Sequence, residues 1–261
     1  GPSRAGRAEP PAVWDPVQAT AEAVARVLRA PALGSGRGGS LDQAAVAGAG
    51  APFALTAVER GQRLVEWQFW APLRGADPHR LADLFARHGA GRWTDYLPQL
   101  AQLAPAQLEG FLTGFVDLIV EHAGRWWILD WKSNDLGHRP EDYRPEALAD
   151  SMAHHHYVLQ AQLYCLALHR FLGRRLAGDD YDRHFGGFAY VFLRGAGAGP
   201  TASSSLRAPT AASEQLSLFA PLPAETPASG APPLGWWIET PPRRLVEALD
   251  HSWAEPSGGS P

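Results

Sequence analysis

The chain has 261 residues, 45% of them hydrophobic and ten of them tryptophan, which is enough apolar material for one large globular domain. A net charge of −4 excludes a generally basic nucleic-acid-binding coat, so any DNA contact must be local or shared with partner subunits. The single cysteine, Cys165, excludes an internal disulfide and is expected to pack in the core. The sequence shows no zinc constellation, signal peptide or run of about 18 apolar residues, so we expect a cytoplasmic protein with no membrane contact.

The N-terminal region is predicted to hold one helix between two irregular segments. Residues 1–13 are polar and proline-rich and are expected to be a disordered tail, and the first three residues resemble a tag remnant. Asp15-Pro16 provides a helix start, and apolar residues at helical spacing predict a helix from 16 to about 30. Residues 31–52 are rich in Ala and Gly and predict a loop without a phosphate-binding lysine.

The first strand is predicted at residues 63–70, where the sequence alternates with a period of two. This alternation places Val65, Trp67 and Phe69 on one face and Glu66 on the other. A glutamate that simply faces solvent is an equally good interpretation of the local sequence. Helices are then predicted at positions where proline can open the first turn, namely residues 78–88, 105–110 and 145–156.

Residues 114–134 have the pattern of a hairpin with acids inside it. Two apolar runs flank a break at residues 122–125, and each run carries an aspartate among its apolar residues. A two-residue turn at Ala123-Gly124 places Asp117 directly opposite Asp130. Opposed residues on one sheet face have Cβ atoms roughly 4.5–5.5 Å apart, so the two carboxylates could hold one hard cation.

Lys132 lies two residues beyond Asp130 and therefore on the same predicted face, opposite Phe115. Its ammonium could reach a phosphate or water that a metal also holds. A solvated hairpin with a chance Asp-Trp-Lys is the alternative, but acids between buried apolar residues need a partner. The pattern therefore favours a metal-dependent site for phosphate chemistry.

The second half of the chain is predicted to contain a long amphipathic helix, a buried strand and a terminal strand and helix. Leu159, Leu163, Leu166 and Phe171 are expected to face the core from the helix at residues 157–172. Gln160 and Tyr164 share another face of that helix. The remaining predictions are a loop at 133–144, an exposed histidine patch at 154–156, strands at 188–193 and 235–239, and a helix at 242–253.

Three sequence blocks in order resemble the nuclease domain of the RecB-type exonuclease V subunit, within the PD-(D/E)xK nuclease superfamily. The first block runs from Gly114 to Asn134, the second is Tyr157-x-x-Gln160-x-x-x-Tyr164, and the third is the strand at 185–195. The likeness is clearest over residues 60–195. It implies an α/β fold with a restriction-endonuclease-like core, in which a mixed central sheet is flanked by helices.

The resemblance also implies a function and a set of site residues. It implies a Mg²⁺-dependent deoxyribonuclease in a RecBCD-like helicase–nuclease that acts in double-strand break repair and recombination. Asp117, Asp130 and Glu66 would hold the metal, Lys132 would steady the attacking hydroxide, and Gln160 and Tyr164 would border the active site. Implied partners are DNA, RecC-like and RecD-like subunits, a helicase motor outside this chain and a recombinase.

One departure from the family concerns a further metal-binding histidine on an upstream helix. No histidine precedes Glu66, so the chain is expected to begin after that position and to have weakened activity. The alternative function is a non-catalytic docking module that recruits a recombinase or a sliding clamp. Retention of Asp117, Asp130 and Lys132 together disfavours a purely structural role.

Residues 196–234 change in composition to Ala, Pro, Ser, Thr and Gly, which predicts a flexible arm inserted into one nuclease domain made of residues 14–195 and 235–253. The arm contains one cluster of large apolar residues. Its Gln215, Leu216, Leu218 and Phe219 resemble the pentapeptide by which bacterial repair and replication proteins bind the polymerase sliding clamp. Folding of these side chains back onto the domain is the alternative.

Overall fold

The computed structural model describes residues 16–30, 53–73, 77–104, 110–196 and 233–254. Within these ranges five strands form one sheet: β1 (Arg63–Leu73), β2 (Gly110–His122), β3 (Arg125–Lys132), β4 (Phe185–Phe192) and β5 (Trp236–Glu239). The described helices are α1 (Pro16–Arg29), α2 (Pro78–His88), α3 (Leu97–Ala101), α4 (Pro145–His154), α5 (Tyr157–Arg175), α6 (Tyr181–His184), α7 (Leu193–Ala196) and α8 (Arg243–Ala254).

The sheet is mixed, and its strands lie side by side in chain order from β1 to β5. Strands β1, β2 and β3 form an antiparallel meander, β3 and β4 are parallel, and β5 is antiparallel to β4. The parallel step requires a crossover, which α4, α5 and α6 provide between β3 and β4. The predicted mixed α/β sheet is therefore confirmed.

Helices cover both faces of the sheet. One face packs against α2, α4, α5 and α8 around a large core that includes Phe85, Ile128 and Leu168. The other face packs a smaller core that includes Val27 of α1 and Leu129 of β3. This three-layer arrangement excludes solvent from the centre of the sheet, where every residue of β4 is buried.

Most predicted elements begin where the sequence signals are strongest. Helix α2 begins at Pro78 because the Asp77 side chain accepts a hydrogen bond from the His79 N–H at 2.9 Å. Helices α1, α4, α5 and α8 also begin within one residue of their predicted starts. Residues 105–109, the loop at 31–52, the tail and the arm with its Gln215–Phe219 motif lie outside the described residues.

The predicted faces of β1 are confirmed for Trp67 and Phe69, which pack on the larger core, and for the exposed Glu66, but they are wrong at Leu64 and Val65. Leu64 and Trp67 both pack on the larger core, while Val65 is 68% exposed. The alternation breaks at Glu66, which has a left-handed backbone with φ of 50°, while the register with β2 is the same before and after it.

Helix α5 packs its predicted core residues Leu159, Leu163, Leu166 and Phe171 on the larger core, but it is buried on more than that one face. Its buried residues lie all around the helix axis: Val158, Leu159, Ala161, Gln162, Tyr164, Cys165, Leu166, Ala167, Leu168 and Leu172. The β-sheet lies on one side of α5 and α8 packs on another. The predicted burial of Cys165 is confirmed, since its thiol is free and fully enclosed. No helix in the described ranges is long and apolar enough to cross a membrane.

Candidate active site

The site forms where β2 and β3 separate. The predicted register is confirmed from His122–Arg125 to Leu118–Leu129, so the next position along the ladder holds Asp117 and Asp130. The ladder ends there because the Asp117 carboxylate accepts the backbone N–H of Trp131 at 2.8 Å. Beyond this point β3 stays paired with β4, with Asp130 beside Tyr190.

The prediction that Phe115 faces Lys132 is wrong. Phe115 pairs with Gln68 of β1 and is mostly exposed, whereas Lys132 is buried beside β4. The separation of the two strands opens the sheet at the position of the two aspartates. A ligand can therefore approach Asp117, which is only half-buried, from the open end of the hairpin.

Asp130 and Lys132 form a buried ion pair. Asp130 is 4% exposed, Lys132 is 9% exposed, and Lys132 Nζ lies 2.5 Å from Asp130 Oδ2. Burial raises the pKa of the Asp130 carboxyl, the charge of Lys132 opposes this shift, and the nearby charge of Asp117 adds to it. Lys132 thus offsets part of the effect of burial, and the pKa of Asp130 stays above its ordinary value.

Gln160 organises the other side of the ammonium. Its Oε1 accepts hydrogen bonds from Lys132 Nζ at 2.9 Å and from the Tyr190 hydroxyl at 3.0 Å. Its Nε2 donates to the Tyr164 hydroxyl at 3.0 Å. Because a lysine ammonium can only donate, the amide oxygen must face Lys132, which settles the orientation of the amide.

Tyr164 completes this network from a buried position. Its hydroxyl donates to the backbone oxygen of Phe115 at 3.0 Å, which ties α5 to β2 two residues before Asp117. The prediction that Tyr164 points away from the core is wrong, since it is 6% exposed and belongs to the larger core. Burial, followed by the charges of Asp130 and Asp117, raises the pKa of this phenol, so it stays protonated.

The two aspartates fit a hard divalent cation. The Asp130 carboxylate is buried against Lys132, and its charge and that of Asp117 are close enough to interact. Two carboxylates this close together suit Mg²⁺, which prefers oxygen ligands and usually keeps several waters.

Glu66 stands apart from this pair in the structure. It lies on β1 between the pairs Val65–Leu118 and Trp67–Val116, across from Asp117, and its side chain is exposed. Among the described residues no three His, Cys, Asp or Glu side chains converge as metal ligands. A role for Glu66 as the third ligand therefore stays a prediction.

Lys132 is the only lysine in the whole chain, since the other 22 of its 23 basic residues are arginines. Lysine carries a compact ammonium on a flexible stem, whereas arginine carries a broad planar guanidinium that is always charged. The one lysine of the chain thus lies between Asp130 and Gln160, where its small ammonium group contacts both side chains.

Two further residues of the site were not predicted. The rings of Tyr157 and Tyr190 lie over Lys132 Nζ, with 3.8 Å and 4.8 Å from the nitrogen to the ring centroids. The sequence held a signal for Tyr157, because it precedes Gln160 by three residues and so shares its helix face. Nothing in the sequence marked Tyr190 as a residue of the site, since it lies in a strand whose residues are almost all apolar.

The three consecutive histidines lie at the junction of α4 and α5. His154 and His155 are exposed, and His156 adopts a left-handed backbone with its Nδ1 3.0 Å from the Tyr96 hydroxyl. Burial, and then the charges of His154 and His155, lower the pKa of His156. That the three histidines do not form a metal-ligand set together stays a prediction.

Comparison with known families defines the class of protein. Residues 11–232 match the model of the PD-(D/E)XK nuclease superfamily, which is most of the chain. The chain therefore belongs to this superfamily.

Three individual relatives show which proteins of this superfamily the chain resembles. The chain is similar to "RecBCD enzyme subunit RecB" of Escherichia coli, with 53% identity over 89 residues that cover 34% of this chain and 8% of the relative. The corresponding subunit of Haemophilus influenzae is 46% identical over 89 residues, 34% of this chain and 7% of the relative. That of Mycobacterium tuberculosis is 37% identical over 161 residues, 56% of this chain and 15% of the relative. The chain thus spans only a small part of the length of the relatives it matches.

Proposed function

We propose that this chain is the nuclease domain of a RecBCD-like helicase–nuclease that hydrolyses DNA phosphodiester bonds with Mg²⁺ in double-strand break repair and recombination. The observation that carries the proposal is the convergence of Asp117, Asp130 and Lys132 where the β2–β3 ladder ends. Membership of the PD-(D/E)XK nuclease superfamily supports it, because the same three residue types at this spacing characterise the motif.

Each residue of the site has a chemical task in this proposal. Asp117 and Asp130 hold the metal, and Glu66 reaches it from β1. When bound, Mg²⁺ supplies a Lewis acid that polarises the scissile phosphate and lowers the pKa of water. Lys132 donates to a phosphate oxygen or to the attacking water and offsets the negative charge that develops as the bond breaks.

The surrounding residues keep these groups in place. Gln160 directs its oxygen at Lys132, and Tyr164 and Tyr190 direct Gln160. Because the hydroxyls of Tyr164 and Tyr190 are held within the core, the Lys132 ammonium is already oriented before DNA binds. Such preorganisation lowers the reorganisation cost of the transition state.

A nuclease assay with the wild-type chain and Asp130→Asn tests this function. We expect the wild type to cleave linear double-stranded or single-stranded DNA with Mg²⁺ and not with Ca²⁺ or chelator. Asp130→Asn should lose at least about a hundredfold in rate, since even outer-shell residues of metal sites cost 10–100-fold. Asp83→Asn is the matched control, because Asp83 is an exposed carboxylate on α2 paired only with Arg87. Cleavage without metal, or equal rates for wild type and Asp130→Asn, would contradict the proposal.

The proposed partners rest on the relatives and on the arm sequence. The relatives are the RecB subunits of RecBCD enzymes, which supports RecC-like and RecD-like subunits as partners. A helicase motor outside this chain, a recombinase and a cytoplasmic setting in a bacterium are proposed from the family resemblance alone. The motif at 215–219, outside the described residues, supports docking to a sliding clamp. A titration of the peptide 211–222 against a bacterial clamp, beside a version with Leu218 and Phe219 changed to Ala, checks the second proposal.

A further inference from the structure

Tyr157 is the first residue of α5 and contacts the active-site lysine through its ring. The Lys132 ammonium lies 3.8 Å from the ring centroid, closer than the 4.8 Å to the ring of Tyr190. A cation over an aromatic face is attracted by the negative charge of that face, and the attraction grows as water is excluded. Tyr157 therefore interacts directly with the charge that the proposed chemistry uses.

The ammonium depends on such packing because it makes few directional bonds. Of its three donors, one makes the hydrogen bond to Gln160 and a second faces Asp130 Oδ2 at 2.5 Å, which leaves one donor without a partner among the described residues. A lysine side chain has four rotatable bonds, so an ion pair alone leaves it several positions. Tyr190 is fully buried and forms the inner wall, whereas the half-buried Tyr157 forms the outer wall.

Tyr157 is itself held at two points. Its hydroxyl donates to Asn134 Oδ1 at 3.1 Å, which ties α5 to the segment that follows β3, two residues beyond Lys132. Its backbone follows His156, whose left-handed conformation is fixed by the contact with the buried Tyr96 hydroxyl. The ring therefore has a defined place over the lysine and does not depend on DNA to acquire it.

We propose that Tyr157 is a positioning residue that confines the Lys132 ammonium between its ring and the ring of Tyr190, aimed at Asp130 and the scissile phosphate. The inference rests on the proposed nuclease function. The ring supplies the effect, and the hydroxyl only anchors the ring through Asn134. Tyr157→Phe should therefore retain most of what Tyr157→Leu loses.

The experiment compares the wild type, Tyr157→Phe, Tyr157→Leu and Phe171→Leu in the full chain. Phe171 is the matched control because it is a half-buried ring on the same helix that lies over Arg175, away from the site. We expect Tyr157→Leu to lower kcat by about tenfold with KM within about twofold, since misplacement of a catalytic group by 1 Å can cost up to about a hundredfold. Tyr157→Phe should stay within about threefold of wild type, and Phe171→Leu should not change kcat.

A second readout separates this inference from the proposed function. Because Lys132 is the only lysine, an amine-reactive reagent labels just Lys132 and the N-terminus, and peptide mass spectrometry resolves the two. Labelling of Lys132 should be several times faster in Tyr157→Leu than in wild type, Tyr157→Phe or Phe171→Leu. Absence of cleavage by the wild type would contradict the nuclease proposal, while the labelling rates still test the contact.

Three results would overturn the inference. A Tyr157→Leu variant with the same labelling rate and kcat as the wild type would show that the ring does not confine the lysine. A raised KM with unchanged kcat would make Tyr157 a DNA contact. Equal effects of Tyr157→Leu and Phe171→Leu would assign the loss to general loosening of α5.

Discussion

At the scale of single residues, the site consists of charges that each depend on a neighbour. Asp130 is buried with its pKa raised by burial, and Lys132 offsets that burial with an ion pair. Removing one member of a buried pair leaves the other uncompensated, so truncations here report both chemistry and folding. Substitutions that keep charge or shape are therefore the informative ones.

Lys132→Arg tests whether a compact ammonium is required. The guanidinium keeps the positive charge but is broader than the space bounded by Asp130, Gln160 and the Tyr157 ring. We expect cleavage to fall by at least about tenfold while DNA affinity stays near wild type. Steady-state kinetics on linear DNA measure both quantities, and wild-type kcat in the variant would show that only the charge matters.

Tyr164→Phe tests the hydrogen bonds beneath the site. The change leaves Gln160 Nε2 without its acceptor and removes the hydroxyl donor to the Phe115 carbonyl, which should lower the free energy of unfolding by about 1–3 kcal/mol. Cleavage should also fall several-fold, because Gln160 loses the contact that orients it toward Lys132. Urea unfolding and a nuclease assay at equal folded concentration measure the two effects.

Tyr181→Phe is the control for this prediction. Its hydroxyl is buried and donates to the Pro241 carbonyl at 2.8 Å, remote from the aspartates. It should lose comparable stability and keep full specific activity. Equal losses of activity in both variants would mean that cleavage follows stability alone.

At the scale of elements, β1 and β2 share one break in their alternation. Val116 and Ile119 of β2 both pack on the larger core, as Leu64 and Trp67 of β1 do, and the break in each strand falls at Glu66 and Asp117. The distortion turns the Asp117 carboxylate toward β3, where it accepts the Trp131 N–H. The backbone geometry at Glu66 and Asp117 and the position of the Asp117 carboxylate are therefore linked.

Glu66→Gly and Glu66→Gln separate backbone strain from metal chemistry at this break. Glycine adopts φ of 50° without steric cost, so Glu66→Gly should gain up to about 1 kcal/mol of stability, and Glu66→Gln should gain nothing. If Glu66 is a metal ligand, both variants need more Mg²⁺ for half-maximal cleavage. Ala123→Gly in the hairpin turn, with φ of 52°, is the control that should gain stability without changing the Mg²⁺ requirement.

An unchanged Mg²⁺ requirement in both Glu66 variants would exclude Glu66 as a ligand. A requirement changed in Glu66→Gly alone would instead assign the effect to the backbone. The two outcomes differ because Glu66→Gln keeps the side-chain volume and removes only the charge.

At the scale of the whole molecule, a buried carboxyl joins the C-terminal strand to the region after α2. Glu239 of β5 accepts the Trp93 indole N–H at 3.0 Å, and Arg92 donates to the Thr240 carbonyl at 2.6 Å. Burial raises the pKa of Glu239 from 4.5 to about 7, and Arg92 and Trp93 oppose the shift. Segments nearly 150 positions apart in the chain are thus linked by a group that titrates near neutral pH.

This linkage predicts a pH-dependent stability with a definite sign. The folded pKa lies above the unfolded one, so the native state binds the proton more tightly and stability falls as pH rises from about 4.5 through about 7. Glu239→Gln keeps an acceptor for Trp93 and removes the titration. Relative to wild type, the variant should therefore gain about 2–3 kcal/mol of stability between pH 5 and pH 8.

Urea unfolding of both proteins at pH 5 and pH 8 measures this gain. Parallel pH dependences would show that Glu239 does not titrate in this range. Asp182→Asn is the control, because Asp182 is an exposed carboxylate in an ion pair with Arg243 and should leave the dependence unchanged.

Local signals in the sequence predicted the hairpin and most helices, for reasons that are themselves local. A two-residue turn and a period of two determine the register, so Asp117 and Asp130 could be placed together by counting from Ala123-Gly124. Proline and its capping residue mark helix starts for the same reason, as at Asp77-Pro78. The resemblance to a nuclease family then supplied the mixed sheet, whose β3–β4 pairing spans some sixty residues.

The remaining features arise from contacts that no local pattern encodes. A left-handed glutamate at position 66 leaves no trace in composition, so the predicted faces of Leu64 and Val65 are wrong. Tyr164 looked like part of a polar stripe, but α5 is enclosed by the sheet and α8, so its hydroxyl is buried and bonded to β2. The sequence by itself determined that Asp117, Asp130 and Lys132 lie together at one end of the β2–β3 hairpin. Only the tertiary structure decided what surrounds Lys132, because the rings of Tyr157 and Tyr190 reach it from a separate helix and a separate strand.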